Sequence, residues 1–189
     1  MTLTPIRQTL ITLLSDGQFH SGEQLGEQLG ISRAAVGKHM AALKELGLDL
    51  FSLTGKGYRL AVPMALYDQV QLQAPVHCFP VIDSTNQYLL ERVNQLQSGE
   101  SCLAECQTAG RGRRGKPWVS PFGCQLILSK YWRLEQGMAA AMGLSLAVGV
   151  AVVQALESLG YPGVELKWTN DLYYQGRKLA GILVEMSGR

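Results

Sequence analysis

Apolar residues at the start of the chain recur at helical spacing. Ile6, Leu10, Leu13 and Leu14 fall on one face of residues 5–15, and Asp16-Gly17 ends that run. A second helix is expected from the Ser21 N-cap, with Leu25 and Leu29 inward and Gly30 just past its end. Gly30-Ile31-Ser32 makes a tight turn. Ser32 then caps a third helix that runs to Leu46, with Val36, Met40 and Leu43 on its inner face and Gly47 as its stop. Residues 48–62 alternate as a strand pair around Thr54-Gly55-Lys56-Gly57. Helix, helix, three-residue turn, helix and hairpin in this order predict a winged helix-turn-helix. Pro63 and Pro75 bracket a connector, which places a domain boundary near residue 65: 1–65 is expected to bind DNA and 66–189 to form a second domain.

The pattern past the connector mixes periods. Strands are expected at Val76–Ile82, Leu103–Gln107, Gln125–Trp132, Val164–Trp168 and Leu179–Met186, with Asp171–Gly176 as a hairpin arm. A helix runs from Ser84 to Val93, and Ser84-Thr85-Asn86-Gln87 has the form of a capping box. The order is α+β, with a mixed or antiparallel sheet. Met138–Leu156 has no charged residue and reaches the minimum spanning length for a membrane. It is rich in Ala, Gly and Val, contains Ser145 and Gln154, and is flanked by Glu135 and Glu157 rather than by basic anchors. A helix buried inside a soluble, cytoplasmic protein is expected, with no membrane partner. No signal peptide is expected at the N-terminus.

Composition and charge narrow the picture little. The 189 residues are 47% hydrophobic and 17% charged, which excludes a disordered chain, and a net charge of +2 leaves nucleic-acid binding to be decided by where the charges lie. The four cysteines do not form zinc-finger pairs, so no metal site is expected and the thiols are read as reduced.

The basic residues are concentrated in three places. The third helix carries Arg33, Lys38, His39 and Lys44 behind its Ser32 cap, with Arg33 and Ala34 at the N-terminal end, where base edges are met in a winged helix; Lys38 suits a phosphate, and Lys56 and Arg59 in the hairpin suit backbone contacts. A solvated helix in a protein-interaction module is the alternative. Gly110-Arg111-Gly112-Arg113-Arg114-Gly115, followed by Lys116, holds four basic groups and no acid. Successive N–H groups in a glycine-rich loop form an anion nest, so a loop closing over a phosphate is one reading; a flexible linker or an RNA patch are others. Lys167-Trp168-Thr169-Asn170-Asp171 precedes Arg177-Lys178-Leu179-Ala180-Gly181-Ile182-Leu183. Lys178 opens an apolar strand and suits a carboxylate or an α-phosphate. Asn170-Asp171 either holds Mg²⁺ or makes a turn.

These last motifs, in this order, closely resemble the biotin–protein ligases. With His20-Ser21-Gly22-Glu23 and Ser32-Arg33-Ala34-Ala35 ahead of them, the chain resembles the bifunctional bacterial type, in which the ligase is also a repressor of biotin biosynthesis. The resemblance implies a winged helix followed by a mixed-sheet catalytic domain of the biotin/lipoate ligase kind. It implies that biotin and ATP, with Mg²⁺, give biotinyl-5′-AMP, and that biotin then passes to a lysine of a carboxylase biotin carrier domain. Biotinyl-AMP would act as corepressor for a homodimer on operator DNA. It further implies that Ser84, Thr85, Asn86 and Gln107 meet biotin, and that Arg111, Gly112 and Arg113 cover the carboxylate and phosphate. Lys178 and Arg113 would be catalytic, and Gly110, Trp118 and Asn170 would join Arg111, Arg113 and Lys178 around the adenylate. Thr169 stands where the family commonly has Pro. The family's catalytic domain also continues into further strands and a small SH3-like barrel, so the domain is expected to be incomplete at Arg189. A repressor that only senses biotin, and a lipoate ligase, are the rival functions.

Overall fold

A computed structural model of the chain describes residues 3–67, 75–135 and 141–187. By packing it forms two compact units, one of residues 1–110 and 117–131, the other of residues 111–116 and 132–189.

The first unit opens with three helices and a hairpin. α1 (Pro5–Leu14) starts at Thr4, whose side chain accepts from the Arg7 N–H, with Pro5 at the first helical position. α2 (Gly22–Leu29) has a complete capping box, in which Ser21 and Gln24 satisfy each other's backbone N–H groups. α3 (Arg33–Glu45) is capped by Ser32, which accepts from the Ala35 N–H at 3.2 Å. β1 (Leu50–Leu53) and β2 (Gly57–Leu60) pair antiparallel. His20 bridges to Tyr58 along the outer edge of β2. The apolar faces meet in a core of Leu10, Ile11, Leu14, Leu25, Val36, Met40 and Leu43, all nearly sealed from solvent. Leu66, Cys106 and Phe122 belong to that same core, and the Phe122 N–H donates to the Leu46 carbonyl at 3.1 Å. The expected winged helix-turn-helix is therefore present element for element.

The same unit contains a three-stranded mixed sheet. β3 (Val76–Phe79) runs parallel to β4 (Ser101–Ala104), which pairs antiparallel with β5 (Ile127–Lys130). β3 is shorter than its apolar run, because Pro80 has no N–H to continue the ladder. β4 starts two residues and ends three residues earlier than expected. As the central strand it is buried at all four positions, so it lacks the alternation by which strands are read. α4 (Thr85–Leu90) is shorter than the run to Val93 and ends in turns. Its cap is half of a box: Ser84 accepts from the Gln87 N–H, but the Gln87 amide reaches forward to Glu91 instead of back to Ser84.

The second unit packs one helix near an antiparallel sheet. α5 (Leu144–Ser158) precedes β6 (Val164–Lys167), β7 (Asp171–Tyr174) and β8 (Arg177–Gly181). The hairpin arm expected at 171–176 is β7 with its turn. Gln175 and Gly176 both have positive φ, which matches the twist of a two-residue hairpin. β8 starts at Arg177 and stops at Gly181, earlier than the apolar run to Met186 suggests. The predicted start of the long helix at Met138 lies outside the described residues. Among the described residues no helix is long and apolar enough to cross a membrane.

Candidate functional site

In the first unit, α4 begins where the polar run Ser84-Thr85-Asn86 meets the sheet. Ser84 and Thr85 are buried at 4% and 2% exposure, so their polar atoms must find partners within the protein. The Ser84 N–H donates to Asp83 Oδ1 at 2.6 Å. Thr85 reaches Gln107 twice: its N–H donates to Gln107 Oε1 at 2.8 Å and its hydroxyl at 3.1 Å. The Thr85 hydroxyl also lies 2.8 Å from Ser129 Oγ on β5. Gln107 itself is clasped by β-bridges to Ile82 and Ser120. Asn86 is half-buried one residue further along α4.

Gly110 completes this cluster. Its carbonyl accepts from the Trp118 N–H at 2.8 Å. A Cβ at Gly110 would lie 2.7 Å from the Trp118 carbonyl and 2.9 Å from Gln107 Nε2, so only glycine allows this approach. Trp118 is half-buried, and its indole N–H donates to Gln125 Oε1 at 3.0 Å.

In the second unit, residues 111–116 form a small closed turn. The Gly112 N–H donates to the Lys116 carbonyl at 2.7 Å, and Arg113–Gly115 is a single 3₁₀ turn with Arg114 at positive φ. The turn is tied to the hairpin sheet by its guanidinium groups. Arg113 Nη1 donates to Asn170 Oδ1 at 2.8 Å and to the Thr169 hydroxyl. Arg111 Nη2 lies 3.3 Å from Glu185 Oε2. Asn170 in turn is anchored to Ile182 by its side chain and by its carbonyl. Lys178 Nζ pairs with Asp171 Oδ1 at 2.8 Å, across β7 and β8. Arg111 and Arg113 thus each have specific acceptors in the sheet and its flanks. Arg113 reaches Asn170 just before β7, and the Lys178 side chain reaches Asp171, the next residue. Both residues of the Asn170-Asp171 pair are engaged with protein groups. Among the described residues no group of three His, Cys, Asp or Glu side chains is placed to hold a metal ion.

Ala34 and Lys38 are exposed on the face of α3 opposite its buried Val36, Met40 and Leu43. Arg33 is exposed as the first residue of the helix, and His39 is half-buried at the edge of the buried face. Arg33 pairs with Glu23 at 3.3 Å, with both side chains about three-quarters exposed. In the wing, Lys56 and Arg59 stand over the Phe19 ring at 5.8 and 5.1 Å.

Several partners escape a reading of the sequence. Gln125, Thr169 and Glu185 each hold a site residue, and Ser129 holds Thr85. Two left a trace: Thr169 stands inside the Lys167–Asp171 motif, and Ser129 falls two residues after Ile127, on the same strand face.

Comparison with known proteins bears on both parts of the chain. The model of the biotin/lipoate A/B protein ligase family matches residues 78–189, and that of an HTH domain matches residues 6–59. The bifunctional ligase/repressor BirA of Salmonella typhimurium is 56% identical over 191 residues, covering 98% of this chain and 60% of that protein. BirA of Escherichia coli is also 56% identical, over 95% of this chain and 58% of its own length. The chain thus spans about 60% of the length of these curated relatives. Among solved structures, the biotin protein ligase from Aquifex aeolicus in complex with biotin and ATP matches with a TM-score of 0.52 and 34% identity, covering 60% of this chain and 47% of that one. An N-terminal helix-turn-helix followed by a mixed-sheet catalytic fold, and a family model that matches more than half of its residues, show that this chain belongs to the biotin/lipoate A/B protein ligase family.

Proposed function

We propose that the protein activates biotin with ATP and transfers it to a lysine of a carboxylase biotin carrier domain, and that it also represses transcription through its winged helix. The observation that carries this reading is the 56% identity to bifunctional ligase/repressors across nearly the whole chain. In the first step a biotin carboxylate oxygen attacks the α-phosphorus of ATP and pyrophosphate leaves. In the second the lysine amine attacks the acyl carbon and AMP leaves. The first step joins two anions, so cations must lie where the charges meet. Arg113 and Lys178 take that role, with Arg111 and the Gly112 backbone along the phosphate. Ser84, Thr85, Asn86 and Gln107 hold the biotin ring system. Gly110, Trp118 and Asn170 complete the adenylate contacts. Mg²⁺ brought with ATP would add to the screening of phosphate charge that Arg113 and Lys178 supply.

Residues 1–65 act as the DNA-binding domain and 66–189 as part of the catalytic domain. Ser32, Arg33, Ala34, Lys38 and His39 of α3 enter the major groove and Lys56 follows the backbone, as two copies meet a palindromic operator. Biotinyl-AMP is the corepressor of that homodimer. ATP and a carrier domain as substrates place this work in the cytoplasm.

The test uses the full-length protein with biotin, ATP and a purified carrier domain. Biotin-dependent exchange of pyrophosphate into ATP, and biotin on the carrier, are expected. Binding of biotin without either would favour a sensor, and preference for lipoate over biotin would favour a lipoate ligase. Arg33→Ala is expected to weaken operator binding and leave exchange intact.

A further inference from the structure

The Thr85, Gln107 and Ser129 contacts fix the direction of three hydrogen bonds. The Thr85 N–H can only donate, so the end of the Gln107 amide that faces it is Oε1. The Thr85 hydroxyl donates to that same oxygen and so has no proton left for Ser129. Ser129 must therefore donate to Thr85 across their 2.8 Å contact. The chain of donors runs from Ser129 to Thr85 to Gln107. Gln107 Oε1 is held by two donors, and its Nε2 is turned toward Gly110, where only a donor is offered. Near the same glycine lies the Ser120 hydroxyl, which is buried and has no hydrogen-bond partner among the described residues. A buried polar group without a partner marks a place where a polar ligand atom is accommodated.

We propose that Ser129 is a positioning residue for biotin: through Thr85 it locks the Gln107 amide with its N–H donors toward the ligand, so that the site selects a carbonyl oxygen. The proposal rests on the biotin reading above. Without the Ser129 hydroxyl, Thr85 loses the donor that polarises its own O–H, and its bond to Gln107 Oε1 weakens. One of the two bonds that hold the amide is then looser, and Gln107 can more readily turn Oε1 toward the ligand in place of Nε2. Ser129 touches neither the carboxylate nor the phosphate groups of the reaction, so its effect belongs in binding and selectivity.

The experiment measures biotin-dependent pyrophosphate exchange by the full-length protein and its Ser129→Ala and Ser129→Thr variants. The substrates are biotin and 2-iminobiotin, in which a guanidinium replaces the urea carbonyl. Ser129→Ala is expected to raise KM for biotin about fivefold, the worth of one hydrogen bond, with little change in kcat. It should also narrow the preference for biotin over 2-iminobiotin. Ser129→Thr keeps the hydroxyl and should restore both. An Ala variant with unchanged KM and unchanged preference, or with a loss in kcat alone, overturns the proposal. So does a loss that Thr does not rescue, since that would mark Ser129 as a packing residue of β5. An unmutated protein that supports no biotin-dependent exchange refutes the functional reading itself, and this proposal with it.

Discussion

Replacing Gly57 with Ala tests the wing more sharply than any loss of charge. Gly57 sits at φ +100°, outside the conformations that an L side chain readily adopts. An added Cβ would lie 2.0 Å from the His20 carbonyl oxygen and 2.7 Å from the Ser21 Cα. Both are backbone atoms, so no side chain can swing aside. The chain at His20 must move, and the pair of 2.9 Å bonds that His20 exchanges with Tyr58 goes with it. The left-handed conformation costs roughly 1–2 kcal/mol. Two backbone hydrogen bonds add roughly 0.5–1.5 kcal/mol each, giving a total of about 2–5 kcal/mol. Gly55 is the control. It also has positive φ, +82°, but its Cβ would meet nothing within 4 Å, so Gly55→Ala should cost only the conformational part, roughly 1–2 kcal/mol. Equilibrium urea unfolding of both variants, followed by far-UV circular dichroism, measures the difference. Equal destabilisation, or a larger loss at Gly55, would refute the argument that His20 is pinned to the wing.

Three further outcomes follow from particular side chains. Lys178→Ala in the full-length protein should raise the barrier to biotin adenylation by roughly 2–4 kcal/mol, and an unchanged rate would make Lys178 a purely structural partner of Asp171. Burial pushes the Cys102 thiol up to about 12, while Cys78 and Cys124 are exposed. Iodoacetamide at pH 8 should label Cys124 well before Cys102, and equal labelling in the native state would contradict that burial. The Gln97 N–H and the His77 ring hold the Glu100 carboxyl below its ordinary value of 4.5. A lowered pKa gives stability that is present above the unfolded value and lost as pH falls through the folded one. Glu100→Gln should therefore flatten the acid limb of the stability profile below about pH 4.5, and an unchanged acid limb would show that His77 and Gln97 contribute nothing there.

The winged helix was legible because its signals are local. Caps at Ser21 and Ser32, apolar spacing in α1 and α3, and glycines at the stops each act within one or two turns of the chain. The strands of the mixed sheet were harder to delimit. β4 is buried on both faces and Ser101 belongs to it despite its polarity, while Pro80 ends β3 inside an apolar run. In the candidate site the sequence showed which residue types gather but not what holds them. The Arg113 clasp on Thr169 and Asn170 spans more than fifty residues, and the Thr85 contact with Ser129 spans 44. Such pairs have no periodicity. Only the fold brings them together.

The partners of the cations say how an anion would enter the second unit. Lys178 is matched to a carboxylate, Asp171, and Arg111 to another, Glu185. Arg113 is different: the oxygens it grips, on Thr169 and Asn170, are neutral. Its bonds to Thr169 and Asn170 carry charge on the donor only, whereas a phosphate brings a full negative charge and two oxygens to which the guanidinium fork can donate side by side. A phosphate arriving at this turn therefore gains more from Arg113 than Thr169 and Asn170 lose. At Lys178 it must compete with an existing negative charge. Arg113, whose side chain is exposed and whose acceptors are neutral, is then expected to exchange partners before Lys178 does.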